Sequence, residues 1–186
     1  MGEAATIVAD TNVLLHLATP VVDGRPRAPS GADPLKAVLT GYDVHVPASV
    51  VGELADTQGS GDLLSKAATL VLGASQYLTT HDVGTDVEEP IAVGLDRGES
   101  HGIRLANELS AAMFVTDEFN TTNYLLVSLA LDDRNSLFTT PHLLCLFASR
   151  GVLDSRYVDA VLTYFLDTKQ WDRQYVQALR RTYLTE

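Results

Sequence analysis

The sequence contains almost no cysteine, the residue whose disulfides stabilise many extracellular proteins, and it lacks the long apolar runs of membrane proteins. Cys145 is its only cysteine, so no disulfide can form within the chain. No stretch of about 18 unbroken apolar residues occurs, so we expect no membrane-spanning helix. The N-terminus also lacks the basic-then-apolar pattern of a signal peptide. These absences predict a cytoplasmic protein that does not associate with a membrane.

Lysine is scarce as well, and acidic residues dominate the charge. The 186 residues include 24 Asp and Glu against 13 Lys and Arg, which gives a formal net charge of −11. The only lysines are Lys36, Lys66 and Lys169. Such a surface keeps a protein hydrated in concentrated salt, which predicts a halophilic host. At 1 M salt the Debye length is roughly 3 Å, so this charge would repel a nucleic acid mainly at low salt.

Apolar β-rich runs alternate with amphipathic helical stretches along most of the chain. An alternation of this kind places helices on both faces of a parallel sheet. We therefore predict an α/β protein with a three-layer α/β/α architecture and a mostly parallel central sheet of four or five strands. The predicted strands cover residues 5–9, 44–47, 77–83, 111–116 and 137–140.

Two segments depart from this alternation. Residues 19–34 contain four of the seven prolines and two glycines, a composition that predicts a loop. Residues 152–186 carry two amphipathic helices with no strand between them. We predict a single domain over residues 1–186, in which 152–186 form a C-terminal helical pair packed on the rest.

Carboxylates follow two of the predicted strands. Asp10 follows the first strand and Asp117 follows the fourth. Ligands of parallel α/β sheets bind beyond the carboxyl ends of the strands, so both aspartates lie where a site is expected. An aspartate at the end of a strand is also a common N-cap of the next helix. Neither residue alone therefore identifies a functional site.

Two glutamates have a similar ambiguity. Glu53 lies on a predicted helix at the border of the apolar face, where a solvated surface residue is the ordinary case. Glu99 opens a predicted helix, and its spacing from Asp96 suits a capping box. Gly98 and Gly102 lie about one helical turn apart, which predicts that this helix start packs closely against another element.

As an ordered set, these residues resemble the PIN-domain family of small nucleases, which includes toxins of toxin–antitoxin pairs. The resemblance spans roughly residues 5–180 and is greatest to the branch whose third acid lies in a Gly-Glu helix start. This chain departs from the family in the proline-rich segment 19–34 and in Glu118, where aspartate is commoner. The matching motifs are Asp10-Thr11-Asn12, Glu53, Gly98-Glu99 and Val115-Thr116-Asp117-Glu118.

The resemblance implies a metal-dependent ribonuclease that cleaves RNA internally. It implies that Asp10, Glu99 and Asp117 bind Mg²⁺ or Mn²⁺, and that Glu53 binds the metal directly or through water. Such hard ions prefer carboxylate oxygens and can activate a water for attack on phosphorus. The family also suggests an antitoxin partner, and the terminal helices could form a homodimer interface. Candidate orienting or substrate-binding residues are Thr11, Asn12, Thr116 and Arg104, and additional candidate acids are Asp96 and Glu118.

Other functions fit these residues less well, with one exception. That exception is a non-catalytic PIN-like module that binds RNA or a protein. A phosphatase of the haloacid dehalogenase type needs a second aspartate two residues after the first, where Asn12 stands. The segment Gly59-Ser60-Gly61 lacks the lysine of a P-loop. The five histidines are scattered, and none has zinc-like spacing to another ligand.

Overall fold

The computed structural model describes residues 4–83, 97–117, 121–132, 135–169 and 171–184. Its strands are β1 (Thr6–Ala9), β2 (Asp43–Pro47), β3 (Leu78–His81), β4 (Met113–Val115) and β5 (Ser136–Phe138). They form one five-stranded sheet in the order β3-β2-β1-β4-β5, and every neighbouring pair is parallel. The predicted α/β class and its three-layer architecture are confirmed.

Helices flank the sheet, and most of those with a side-chain cap begin at an aspartate. They are α1 (Thr11–Asp23), α2 (Pro34–Gly41), α3 (Ala48–Thr57), α4 (Leu63–Gly73), α5 (Arg97–Leu109), α6 (Thr121–Ala130), α7 (Thr140–Ser149), α8 (Ser155–Thr168) and α9 (Arg173–Tyr183). The capping aspartates are Asp10, Asp33, Asp62, Asp154 and Asp172. Helix capping therefore accounts for part of the aspartate content. Within the described residues, none of the helices has both the length and the apolar character needed to span a bilayer.

Residues of each strand alternate between two apolar layers. In β1, Ile7 and Ala9 face the larger core, to which α1, α7 and α8 contribute. Val8 faces the smaller core on the other side, together with Phe114 of β4 and Ile103 of α5. This period of two decides on which side of the sheet a residue just beyond a strand lies.

The loop predicted at 19–34 is wrong for residues 19–23, because α1 continues through Pro20 to Asp23. Gly24 then ends the helix with a left-handed backbone (φ 67°), and its N–H donates to the Pro20 carbonyl. A proline inside a helix costs roughly 3 kcal/mol, since it removes a backbone donor. Thr19 and Pro20 are buried, so packing of this turn in the core offsets the local cost.

The C-terminal helices join the larger core. α8 and α9 both contact α7, and Val158, Phe165 and Leu179 belong to the same apolar cluster as β1. Gly151 has a left-handed backbone (φ 68°) just after α7, a conformation that glycine adopts without strain at the end of a helix.

Candidate functional site

The strand order places a crevice beyond β1 and β4. From β1 the chain moves outward to β2 and β3 and then returns to β4 on the other side of β1. Connections leave the carboxyl ends of β1 and β4 in opposite directions, which opens the crevice where parallel α/β sheets bind ligands. A cleft of about 520 Å³, including the solvent at its mouth, lies there. Predicted site residues that line the cleft are Asp10, Thr11, Asn12, Glu53, Glu99 and Thr116.

Asp10 is both a helix cap and a cleft residue. One carboxylate oxygen accepts the Val13 N–H at 2.8 Å, and the other accepts the Thr116 hydroxyl at 2.6 Å. Burial, and secondly the charge of Asp117, raise the pKa of Asp10 from 3.8 to about 7. The two hydrogen bonds and His16 act in the opposite direction but are outweighed. The cleft therefore holds a carboxyl group whose negative charge is poorly compensated.

Glu53 reaches the cleft from α3, which begins directly after β2 ends at Pro47. The Thr11 hydroxyl donates a hydrogen bond to Glu53 Oε2. Thr11 is the first residue of α1 and is buried, whereas Glu53 is exposed. This bond ties the exposed carboxylate to the helix that Asp10 caps, across 42 residues of chain.

Glu99 reaches the cleft from the first turn of α5 and is 9% exposed. α5 can lie against β4 because residue 102 is glycine, since a Cβ there would stand 2.7 Å from Phe114 Cε2. The predicted close packing is thus confirmed at Gly102. Gly98, one turn earlier, lines the cleft beside Glu99.

Asp117 does not stand in the same position as Asp10. The sheet register pairs Ala9 with Val115, so Thr116 comes next to Asp10 and Asp117 follows one residue later. Although both aspartates follow predicted strands, their positions relative to the sheet therefore differ by one residue. Because side chains alternate along a strand, this one-residue offset turns Asp117 toward the layer of α1 and α7.

Three donors hold the Asp117 carboxylate in that layer. His16 Nδ1 donates at 2.6 Å, the Thr140 N–H at 2.7 Å and the Thr140 hydroxyl at 2.6 Å. The Asp117 side chain is 1% exposed, and the His16 ring lies edge-on to Phe165 and Trp171. Asp117 therefore links α1 and α7 to the end of β4, and metal ligation by Asp117 stays a prediction.

His16 and Thr140 belong to this cluster but are not among the site residues predicted from the sequence. They lie 101 and 23 residues from Asp117, so no local spacing could connect them. The sequence offered one signal for His16: it lies one turn after Asn12 on α1, the helix that Asp10 caps.

The remaining predicted residues contribute less to the cleft. Arg104 pairs with Glu108 at 2.8 Å along α5 and is not part of the cleft lining. Asn12 is exposed and does line it. Asp96 and Glu118 lie outside the described residues.

The cleft carboxylates do not form a ready-made metal cage. In the part of the chain that the structure describes, no three His, Cys, Asp or Glu side chains are grouped so as to hold a metal ion. No protein-family model, curated protein or solved structure matches this chain. Function must therefore be inferred from the site itself.

Proposed function

We propose that this chain is a Mg²⁺- or Mn²⁺-dependent ribonuclease that cleaves RNA internally by hydrolysing phosphodiester bonds. The observation that carries the proposal is the convergence of Asp10, Glu53 and Glu99 on one cleft. These carboxylates come from three separate elements and meet beyond the strand ends, where the sheet topology favours ligand binding.

The chemistry of this donor set fits a hard divalent cation. All three side chains offer oxygen ligands, which Mg²⁺ and Mn²⁺ prefer. The raised pKa of Asp10 points the same way, because a nearby cation would favour the ionised carboxylate that burial disfavours. When bound, such an ion supplies an activated water and charge neutralisation at the phosphate. Asp10, Glu53 and Glu99 would hold it, after side-chain movement that gathers their oxygens.

The surrounding residues orient these carboxylates. The Val13 N–H and the Thr116 hydroxyl fix the two oxygens of Asp10, and the Thr11 hydroxyl restrains exposed Glu53. Each carboxylate oxygen can accept a further contact, since it has more than one lone pair. The amide of Asn12 on the cleft wall can donate to a phosphate oxygen.

One observation favours the rival function, a PIN-like module that binds RNA or a protein without cleavage. The described carboxylates are not grouped around a single point, as a preformed metal site would require. A nuclease assay separates the two functions, because binding without cleavage leaves the RNA intact.

The test is cleavage of a fluorescent single-stranded RNA with Mn²⁺ at molar KCl, compared between the parent, Asp10→Asn and Glu99→Gln. We expect internal cuts that EDTA abolishes, and a loss of roughly two orders of magnitude or more in both variants. Asp62→Asn is the matched control, since Asp62 caps α4 as Asp10 caps α1 but does not line the cleft. Equal activity in all four proteins would exclude catalysis at this cleft.

Metal binding provides a second measurement that does not depend on turnover. An ion at about 100 times its dissociation constant stabilises the folded state by about 2.7 kcal/mol. We expect Mn²⁺ to raise the thermal midpoint of the parent protein and of Asp62→Asn, but not that of Asp10→Asn. An unchanged midpoint of the parent at millimolar Mn²⁺ would argue against the metal site.

A further inference from the structure

Two histidines that are far apart in sequence meet on the sheet. His45 lies on β2 and His81 ends β3, 36 residues later. Their ring centroids lie 4.9 Å apart with the ring planes 28° from parallel, and His45 Nδ1 lies 2.7 Å from His81 Nε2, so the rings meet through these two nitrogens. The parallel register explains the meeting, since Pro47 pairs with His81 and stands two residues after His45 on the same face of β2.

A carboxylate fixes the tautomer of one ring. His45 Nε2 lies 2.9 Å from Asp43 Oδ2, and a carboxylate accepts hydrogen bonds, so this nitrogen carries the proton. The neutral His45 ring then has its lone pair on Nδ1, the atom that faces His81 Nε2. An imidazole held by a carboxylate on one nitrogen, with the other nitrogen bare, is the usual state of a metal-ligating histidine.

We propose that His45 and His81 bind a divalent transition-metal ion such as Zn²⁺, Ni²⁺ or Cu²⁺, at a site separate from the cleft carboxylates. Imidazole nitrogen is a preferred ligand of these ions, whereas Mg²⁺ and Mn²⁺ prefer oxygen. With metal–nitrogen bonds of roughly 2.0–2.1 Å at a tetrahedral angle, the two nitrogens would stand roughly 3.3 Å apart. In the metal-free pair His81 Nε2 donates its proton to His45 Nδ1, so metal binding must move this proton to His81 Nδ1 or to water, and the two nitrogens then separate by only a fraction of an ångström.

The surroundings leave room for water to complete the coordination. The His45 side chain is 12% exposed and that of Asp43 is 52% exposed, so solvent reaches the pair. No third His, Cys, Asp or Glu among the described residues joins the two rings as a ligand. We therefore expect weaker binding than at structural zinc sites, which have four protein ligands.

Nitrogen NMR of the histidine rings tests the site in the intact protein, with zinc chloride as the probe. Before zinc is added, the His45 ring should show a proton on Nε2 and none on Nδ1. On titration, the ring signals of His45 and His81 should shift and saturate together. His142, which contacts Phe138 and Tyr183 and belongs to neither site, serves as the internal control and should stay in place. Absence of a saturable shift in His45 and His81, or an equal shift in His142, would overturn the proposal.

Calorimetric titration of variants with Zn²⁺ gives an independent answer. His45→Gln and His81→Gln should each weaken Zn²⁺ binding by about tenfold or more, and Asp43→Asn should weaken it by about tenfold through the lost support of His45. Asp62→Asn should leave the affinity unchanged, because Asp62 caps α4 and belongs neither to the histidine pair nor to the carboxylate cleft. A Zn²⁺ affinity of the histidine variants equal to that of Asp62→Asn would refute the site. Since the NMR titration uses the parent protein, poor folding of a variant cannot hide the result.

Discussion

Replacing Asp10 with asparagine should change the pH dependence of stability in a defined direction. Burial and the charge of Asp117 raise the pKa of Asp10 from 3.8 to about 7, so the folded protein holds a proton that the unfolded chain releases. Between these two pKa values the free energy of unfolding therefore falls as pH rises. The whole shift corresponds to about 4 kcal/mol, at about 1.4 kcal/mol per pKa unit.

Asp10→Asn removes this titration while keeping the helix cap, because the amide oxygen can still accept the Val13 N–H. Between pH 5 and pH 8 the free energy of unfolding of the parent should fall by about 3 kcal/mol more than that of the variant. With the amide standing in for the protonated carboxyl, Asp10→Asn should thus be more stable than the parent by about 4 kcal/mol at pH 8 and by about 1.5 kcal/mol at pH 5. The assay is urea unfolding in EDTA, followed by the fluorescence of Trp171, the single tryptophan.

Asp62→Asn is the control for a capping aspartate. Asp62 is exposed, and a hydrogen bond from the Ser65 N–H lowers its pKa, so its stabilisation is lost only as pH falls below the usual aspartate range. Both pH 5 and pH 8 lie above that range, so Asp62→Asn should change the free energy of unfolding by the same amount at each pH. A stability difference between parent and Asp10→Asn that does not change from pH 5 to pH 8 would refute the reasoning about Asp10.

Two further predictions concern packing and burial. Gly102→Ala should destabilise the protein by about 1–3 kcal/mol in urea unfolding, because its Cβ would meet the Phe114 ring. Gly52→Ala, where a Cβ on helix α3 meets nothing within 4 Å, should instead stabilise by up to about 1 kcal/mol; destabilisation of both to the same extent would contradict the packing argument. Burial raises the pKa of the Cys145 thiol to about 12, so a thiol reagent at pH 8 should label it only after unfolding, and rapid labelling of the folded protein would contradict this burial.

The sequence predicted those features that depend on neighbouring residues. Short apolar runs, typical of buried strands, alternate with stretches in which apolar residues recur every 3.6 residues, as in amphipathic helices. This local pattern is enough to assign an α/β protein whose sheet has helices on both faces. Asp10 at the end of β1 and the glycine at position 102 could also be interpreted locally, because capping and close packing have short-range signatures. Even so, residues 19–23 are helical where the sequence predicts a loop, since the burial that offsets the cost of Pro20 is not a local property.

Relations between distant strands were decided only by the tertiary structure. Whether Thr116 or Asp117 stands beside Asp10 depends on the register of β1 and β4, and a shift of one residue exchanges the two faces of the sheet. The sequence alone therefore does not show that the Asp117 side chain points toward His16.

The meeting of His45 and His81 has the same origin. The two rings meet only if β2 and β3 are neighbours in a particular register. The residues of either strand alone do not determine that register. Composition and periodicity therefore determined which elements form and where acids follow strands. Which side chains share a site was set by strand order and register, because these depend on packing across the whole sheet.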